Sequence, residues 1–80
     1  MARVLLFGRL ADLAGWRDRE VEAPASLAAL RAALARTDAS LGEALSGPGV
    51  QVAVDKVLVR GDAPLAVGAE VAFLPPMSGG

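Results

Sequence analysis

Cysteine, histidine and tyrosine are absent from this chain, and its aromatic residues amount to two Phe and one Trp. Without cysteine there is no disulfide staple and no thiolate nucleophile. Without histidine the commonest zinc ligand and general base is gone as well. The expected set of metal ligands is therefore none. Long apolar runs are missing too: in "MARVLLFGRL" the strongly apolar stretch lies between Arg3 and Arg9, too short for the h-region of a signal peptide and far short of a membrane span. The pattern predicts a soluble, cytoplasmic protein that makes no membrane contact. Positive charge is scarce and scattered, with Lys+Arg 8 against Asp+Glu 9 and a net charge of -1. Nucleic acid calls for a basic stripe interleaved with aromatics, so no nucleic-acid partner is expected.

What the chain does have is apolar and patterned. Hydrophobic residues make up 54% of its 80 residues, well above the share in a disordered chain. A single domain of this size buries only about 60% of its unfolded surface, so its core must be well organised. "RVLLF" at residues 3 to 7 is a continuous apolar run ending at Gly8, the pattern of a central strand covered on both faces. "RLADLAG" sets Leu10 and Leu13 at helical spacing and Gly15 where a left-handed cap would sit, which predicts a turn or two of helix. "WRDREVEA" is dense in charge and suits an edge strand that must discourage other chains from pairing with it. "PASLAALRAALART" predicts the main helix, with Ser26 as N-cap and Leu27, Leu30 and Leu34 on one face. "SLGEALSGPG" predicts a further short turn of helix before its Gly-Pro-Gly stop.

The second half reads as strands. "VQVAV", "DK" and "VLVR" predict a hairpin in which Val50, Val52 and Val54 alternate with Gln51 and Ala53. "GDAPLAVGAE" is a loop anchored by Leu65, Ala66 and Val67, and "VAFLP" is the last strand. The first and last strands are the most apolar and are separated by the helix and the hairpin, so they are expected to pair in parallel at the sheet centre. The fold class is α+β, a β-grasp of ubiquitin-like type. It has a mixed five-stranded sheet with one main helix packed on one face, and a flexible C-terminal tail. Residues 1–74 make the domain and 75–80 the extended tail.

Several motifs carry no chemistry. "RGD" at residues 60 to 62 predicts a turn with Gly61 supplying positive φ. "GRLADLAG" lacks the Lys-Ser/Thr of a phosphate loop, and Asp12, Asp18, Glu20, Glu22 and Glu43 show no spacing that sets up acid and base roles. The sheet is more informative. If Val4, Leu6, Val71 and Phe73 face the helix, alternation puts Leu5, Phe7, Ala72 and Leu74 on the other side, joined by Ala53 and Leu58. That side has no helix to cover it, unless "GDAPLAV" folds across. An apolar patch of Leu5, Phe7, Leu58, Ala72 and Leu74 is the pattern of a protein-binding face.

The chain ends "FLPPMSGG". Two terminal glycines arise by chance in about one chain in two hundred. Pro75 and Pro76 stiffen the exit from the strand, and Met77, Ser78, Gly79 and Gly80 follow. From Pro75 to Gly80 the chain can reach up to about 20 Å. Glycine has no Cβ, so Gly79 and Gly80 can pass through a narrow channel in a partner and leave the carboxylate open to attack.

"VLLFGRLADLAG", "VQVAVDKVLV" and "DAPLAVGAEVAFLPPMSGG" resemble the small-subunit family of molybdopterin synthase over essentially the whole chain. The Phe-hydrophobe-Pro-Pro-x-Ser/Thr/Ala-Gly-Gly ending is the most specific part. Asp55 departs from the Asn usual in that family's hairpin turn, which would weaken the turn and leave the carrier chemistry untouched. The resemblance implies a sulfur carrier that is not catalytic alone. An E1-like adenylyltransferase would use ATP and magnesium to adenylate Gly80, and sulfur from a donor such as a cysteine desulfurase would displace AMP to leave a thiocarboxylate. No cofactor would stay bound to the carrier. The implied docking partner is the synthase large subunit, in a heterotetramer, with sulfur passing to cyclic pyranopterin monophosphate. A carrier for thiamine or tRNA thiolation, and a ubiquitin-like protein modifier, are the alternatives. Lys56 is the only lysine, so self-conjugated chains are not expected.

Overall fold

The computed structural model describes residues 1–22 and 24–76. Among them the order is β1 (Ala2–Leu6), α1 (Arg9–Ala14), β2 (Asp18–Val21), α2 (Leu27–Thr37), α3 (Ala39–Leu45), β3 (Gln51–Val54), β4 (Val57–Val59) and β5 (Glu70–Leu74). The strands form one sheet in the order β2-β1-β5-β3-β4. β1 and β5 run parallel, with Leu6 opposite Phe73, and the other pairs are antiparallel. This is the mixed five-stranded sheet of the ubiquitin-like fold, with the first and last strands side by side as their apolar content predicts.

Alternation decides the two faces. Val4, Leu6, Val71 and Phe73 are buried against Leu10, Leu27, Leu30, Leu34, Leu41 and Leu45, so all three helices lie on one side. Burying each large side chain stabilises the fold by about 1.5 to 3 kcal/mol. β1 is central, yet the described residues cover only one of its faces: Arg3 is exposed and Leu5 half-buried. The continuous apolar run is therefore explained by burial on the helix side and an apolar residue on the open side. It does not reflect cover on both.

α2 begins as its sequence dictates, with Ser26 Oγ accepting the Ala29 N–H at 3.2 Å. A second cap comes from far away in the chain. Asp62 Oδ1 accepts the Ala28 N–H at 2.8 Å, and the Leu27 N–H donates to the Ala63 carbonyl at 2.8 Å. The Arg-Gly-Asp segment is thus a turn, with Gly61 at φ 70°, whose aspartate satisfies a donor that the helix start leaves without a partner. The loop it belongs to is bound to the helix side, where Leu65 enters the core, and does not cross the open face. Val67 departs from expectation: it is 91% exposed, at the tip of a turn closed by the Ala69 N–H to the Ala66 carbonyl, so Leu65 anchors the loop without it.

α3 is also more than the short turn expected. It spans Ala39–Leu45, starts on Asp38 Oδ1, which accepts the Leu41 N–H at 3.1 Å, and buries Leu41 and Leu45. Its carbonyl end is tied to α2 where Arg31 donates to the Leu45 carbonyl at 2.9 Å. Gly42 masked this helix in the sequence, because glycine weakens helical propensity. The structure shows why glycine is needed: a Cβ there would lie 2.7 Å from Ala35 Cα, so the two helices touch backbone to backbone. Gly42→Ala is accordingly expected to destabilise the protein by about 2 kcal/mol, reversing the usual gain from replacing a helical glycine. A thermal melt showing higher stability for the variant would refute that close approach.

The hairpin turn has Asp55 at φ 50° and Lys56 at φ 70°, a two-residue type I′ geometry. Neither residue is the glycine such a turn favours. Asp55 is held instead by β5: its N–H donates to the Glu70 carbonyl at 2.8 Å and its carboxylate accepts the Glu70 N–H at 3.0 Å. The aspartate is thereby fastened into the sheet, which offsets its lower preference for the turn. Among the described residues no helix is long and apolar enough to cross a membrane.

Candidate functional site

The open face of the sheet is laid out by register. Asp18, Leu5, Ala72, Ala53 and Leu58 stand side by side across all five strands, because Leu5 pairs with both Asp18 and Ala72, and Ala53 with both Ala72 and Leu58. Leu74 opposite Gln51 begins the next row toward the end of β5, and Phe7 follows β1 on the same side. Phe7 is 45% and Leu58 58% exposed, while Leu5, Ala72 and Leu74 are half-buried by their neighbours. The structure therefore brings together Leu5, Phe7, Leu58, Ala72 and Leu74 on one surface, and among the described residues no helix lies over it.

The opposite end of this face is charged. Arg3 stands between Glu20 and Glu70 in register and donates to Asp18, with Nη1 to Oδ2 at 2.7 Å. Its other nitrogen is 3.9 Å from Glu20. Such exposed pairs add at most about 1 kcal/mol to stability, and their larger effect is to divide the surface. Charge sits where β1 and β5 begin, and apolar side chains sit where both strands end. A depression lined by Leu5, Leu6, Phe7, Gly8, Arg17 and Asp18 lies at the apolar end.

The chain leaves β5 at that same end. Pro75 is half-buried and Pro76 exposed. Proline has no N–H, so neither can extend the hydrogen-bonded ladder beyond Leu74. Pro75 instead lies close against Gly8 and Pro76 close against Gly49. These two glycines are the residues that sequence reasoning missed: each stands in a loop remote from the tail, and only the register of the neighbouring strands places it there. Met77, Ser78, Gly79 and Gly80 lie outside the described residues. Among the described residues no group of His, Cys, Asp or Glu is arranged to hold a metal ion.

The fold and this surface define the class first: a ubiquitin-like β-grasp protein with an apolar sheet face running up to the exit of its C-terminal segment. The family follows from comparison. Residues 4–80 match the model of the ThiS family, and the chain belongs to that family. It is 38% identical over 81 residues to the molybdopterin synthase sulfur carrier subunit of Escherichia coli (strain K12), covering 100% of both chains. Its fold superposes on SAMP1 from Haloferax volcanii with a TM-score of 0.81 at 26% identity, covering 99% of this chain and 98% of that one. It is also similar to a chain in the complex of subunits 1 and 2 of molybdopterin-converting factor from Helicobacter pylori 26695. There the TM-score is 0.71 and the identity 25%, over 99% of this chain and 97% of that one.

Proposed function

We propose that this protein is the sulfur carrier subunit of a molybdopterin synthase, acting through the carboxylate of Gly80. The observation that carries the reading is the apolar face of Leu5, Phe7, Leu58, Ala72 and Leu74, which ends where Pro75 and Pro76 lead out toward Gly79 and Gly80. Full-length similarity to a sulfur carrier subunit and to a chain found in complex with a second subunit supports it. A carboxylate is a poor electrophile until one oxygen becomes a good leaving group. An E1-like adenylyltransferase supplies that by joining Gly80 to AMP at the expense of ATP with magnesium. The outer sulfur of a persulfide on a donor such as a cysteine desulfurase then displaces AMP to give an acyl disulfide, and a second thiol, acting as reductant, cleaves its S–S bond to release the thiocarboxylate and leave a disulfide on the donor side. A chain with no cysteine must hold its sulfur in this way, at its terminus.

The charged carrier docks on the large subunit through the apolar face and inserts its last residues into that subunit's active site. Sulfur passes there to cyclic pyranopterin monophosphate, and two deliveries complete the dithiolene. The carrier contributes the reacting atom and the docking surface, and the large subunit contributes the catalytic groups. The work is cytoplasmic, where ATP and the sulfur donor are found. Thiocarboxylated protein mixed with a molybdopterin synthase large subunit and cyclic pyranopterin monophosphate is expected to yield molybdopterin, with two carriers consumed per product. The same carrier given to a thiazole synthase is expected to yield little thiazole. Rapid thiazole formation without molybdopterin would overturn this assignment.

A further inference from the structure

The positive-φ glycines of this chain fall into two kinds. Gly15, Gly61 and Gly68 have nothing within 4 Å of where a Cβ would stand, so only their backbone conformation calls for glycine. Gly8 and Gly49 are different. A Cβ on Gly8 would lie 3.1 Å from Pro75 Cγ, and one on Gly49 would lie 2.8 Å from Pro76 Cβ. Carbon atoms at rest stand about 3.5 to 4.0 Å apart, so Gly49 has no room for a side chain and Gly8 very little.

Their positions follow from the sheet. Continuing the parallel register of Leu6 with Phe73 brings Gly8 beside Pro75, and continuing the antiparallel register of Gln51 with Leu74 brings Gly49 beside Pro76. At these two steps the ladder has no donor from β5, and close packing takes its place. Both walls are anchored. The Gly8 carbonyl accepts the Ala11 N–H at 3.1 Å and the Asp12 N–H at 3.3 Å at the start of α1. Gly49 joins α3 to β3 and precedes Val50, which packs on the core.

We propose that Gly8 and Gly49 form a two-sided seat for Pro75 and Pro76 that aims the C-terminal segment, making these glycines positioning residues for sulfur delivery. The proposal rests on the sulfur-carrier reading above. A seat of this kind removes conformational freedom from the two prolines before docking, so less is lost when the last residues enter the partner. It also fixes the direction of the chain relative to the apolar face, so that one docking pose serves both binding and transfer.

The test uses full-length protein with a preformed Gly80 thiocarboxylate, a molybdopterin synthase large subunit and cyclic pyranopterin monophosphate. Gly49→Ala is expected to slow single-turnover sulfur transfer about tenfold at saturating large subunit, within the hundredfold that a 1 Å misplacement can cost. Affinity for the large subunit, read by calorimetry, is expected to change by no more than about twofold, since the docking side chains are untouched. Gly68→Ala carries the same backbone cost in open space, at φ 80°, and is expected to transfer sulfur as the unaltered protein does. Gly49→Asn, which tolerates the left-handed backbone, serves if the alanine variant does not fold. In a Pro76→Gly background, which removes the atom that the new Cβ would strike, Gly49→Ala is expected to have no further effect. Equal rates for Gly49→Ala and Gly68→Ala, or the same slowing by Gly49→Ala whether or not Pro76→Gly is also present, would overturn the seat while leaving the carrier reading intact. No transfer by the unaltered protein would overturn both.

Discussion

Deleting Gly80 is expected to abolish thiocarboxylate formation while leaving the melting temperature unchanged. The reacting group is the terminal carboxylate, and removing one residue draws it back by about 3.3 Å. Since a 1 Å error in placement can cost about a hundredfold, a displacement of this size should leave no measurable product. Adding one residue after Gly80 is expected to fail for the same reason in the opposite direction. Folding is a separate matter, because among the described residues the core runs no further along the chain than Phe73. Intact mass after incubation with the activating enzyme, ATP, magnesium and a sulfur source reads the first effect, and a circular dichroism melt reads the second. A deletion variant that still exchanges oxygen for sulfur would end the carrier reading.

Phe7→Ala and Leu74→Asp are expected to weaken binding to the large subunit by one to two decades, a larger effect than either has on the melt. Burying a large apolar side chain at an interface contributes about 1.5 to 3 kcal/mol, which converts to that loss of affinity. The aspartate adds the cost of a charge placed on this apolar face, so Leu74→Asp should show the larger loss. Phe7 is already 45% exposed in the free protein, so little of its burial belongs to folding. Phe73, next to Leu74 in sequence but 0% exposed on the helix side, sets the contrast. Phe73→Ala is expected to lower stability by about 3 to 5 kcal/mol. Calorimetry on the large subunit with parallel thermal melts separates the two outcomes. Unchanged binding with a collapsed melt for Phe7→Ala would move that residue into the core and take the docking face away.

The layout of the sheet was legible in the sequence because its rules are local. Val4 and Leu6 point one way and Leu5 and Phe7 the other, simply because successive side chains on a strand alternate. The same rule separates Val71 and Phe73 from Ala72 and Leu74. Ser26 and the leucines at 27, 30 and 34 announce α2 because capping and helical spacing involve near neighbours only. The resemblance of the ending rested on consecutive residues. Each of these signals can be read within a few positions of itself, and the alternation and the Ser26 cap both stand in the structure.

What only the tertiary structure decided are contacts between segments far apart in the chain. Asp62 caps a helix that begins thirty-odd residues earlier, and no local pattern distinguishes that aspartate from one in any turn. Gly42 reads as a weakness in a helix until Ala35 of the neighbouring helix is set against it. Gly8 and Gly49 read as loop punctuation, yet strand register carries them to the two prolines. By itself the sequence determined the alternation, the Ser26 cap and the apolar and polar faces, because these arise from backbone geometry and neighbouring side chains. The register of β5 between β1 and β3 was decided by packing the whole core at once, and that register set the walls of the tail exit.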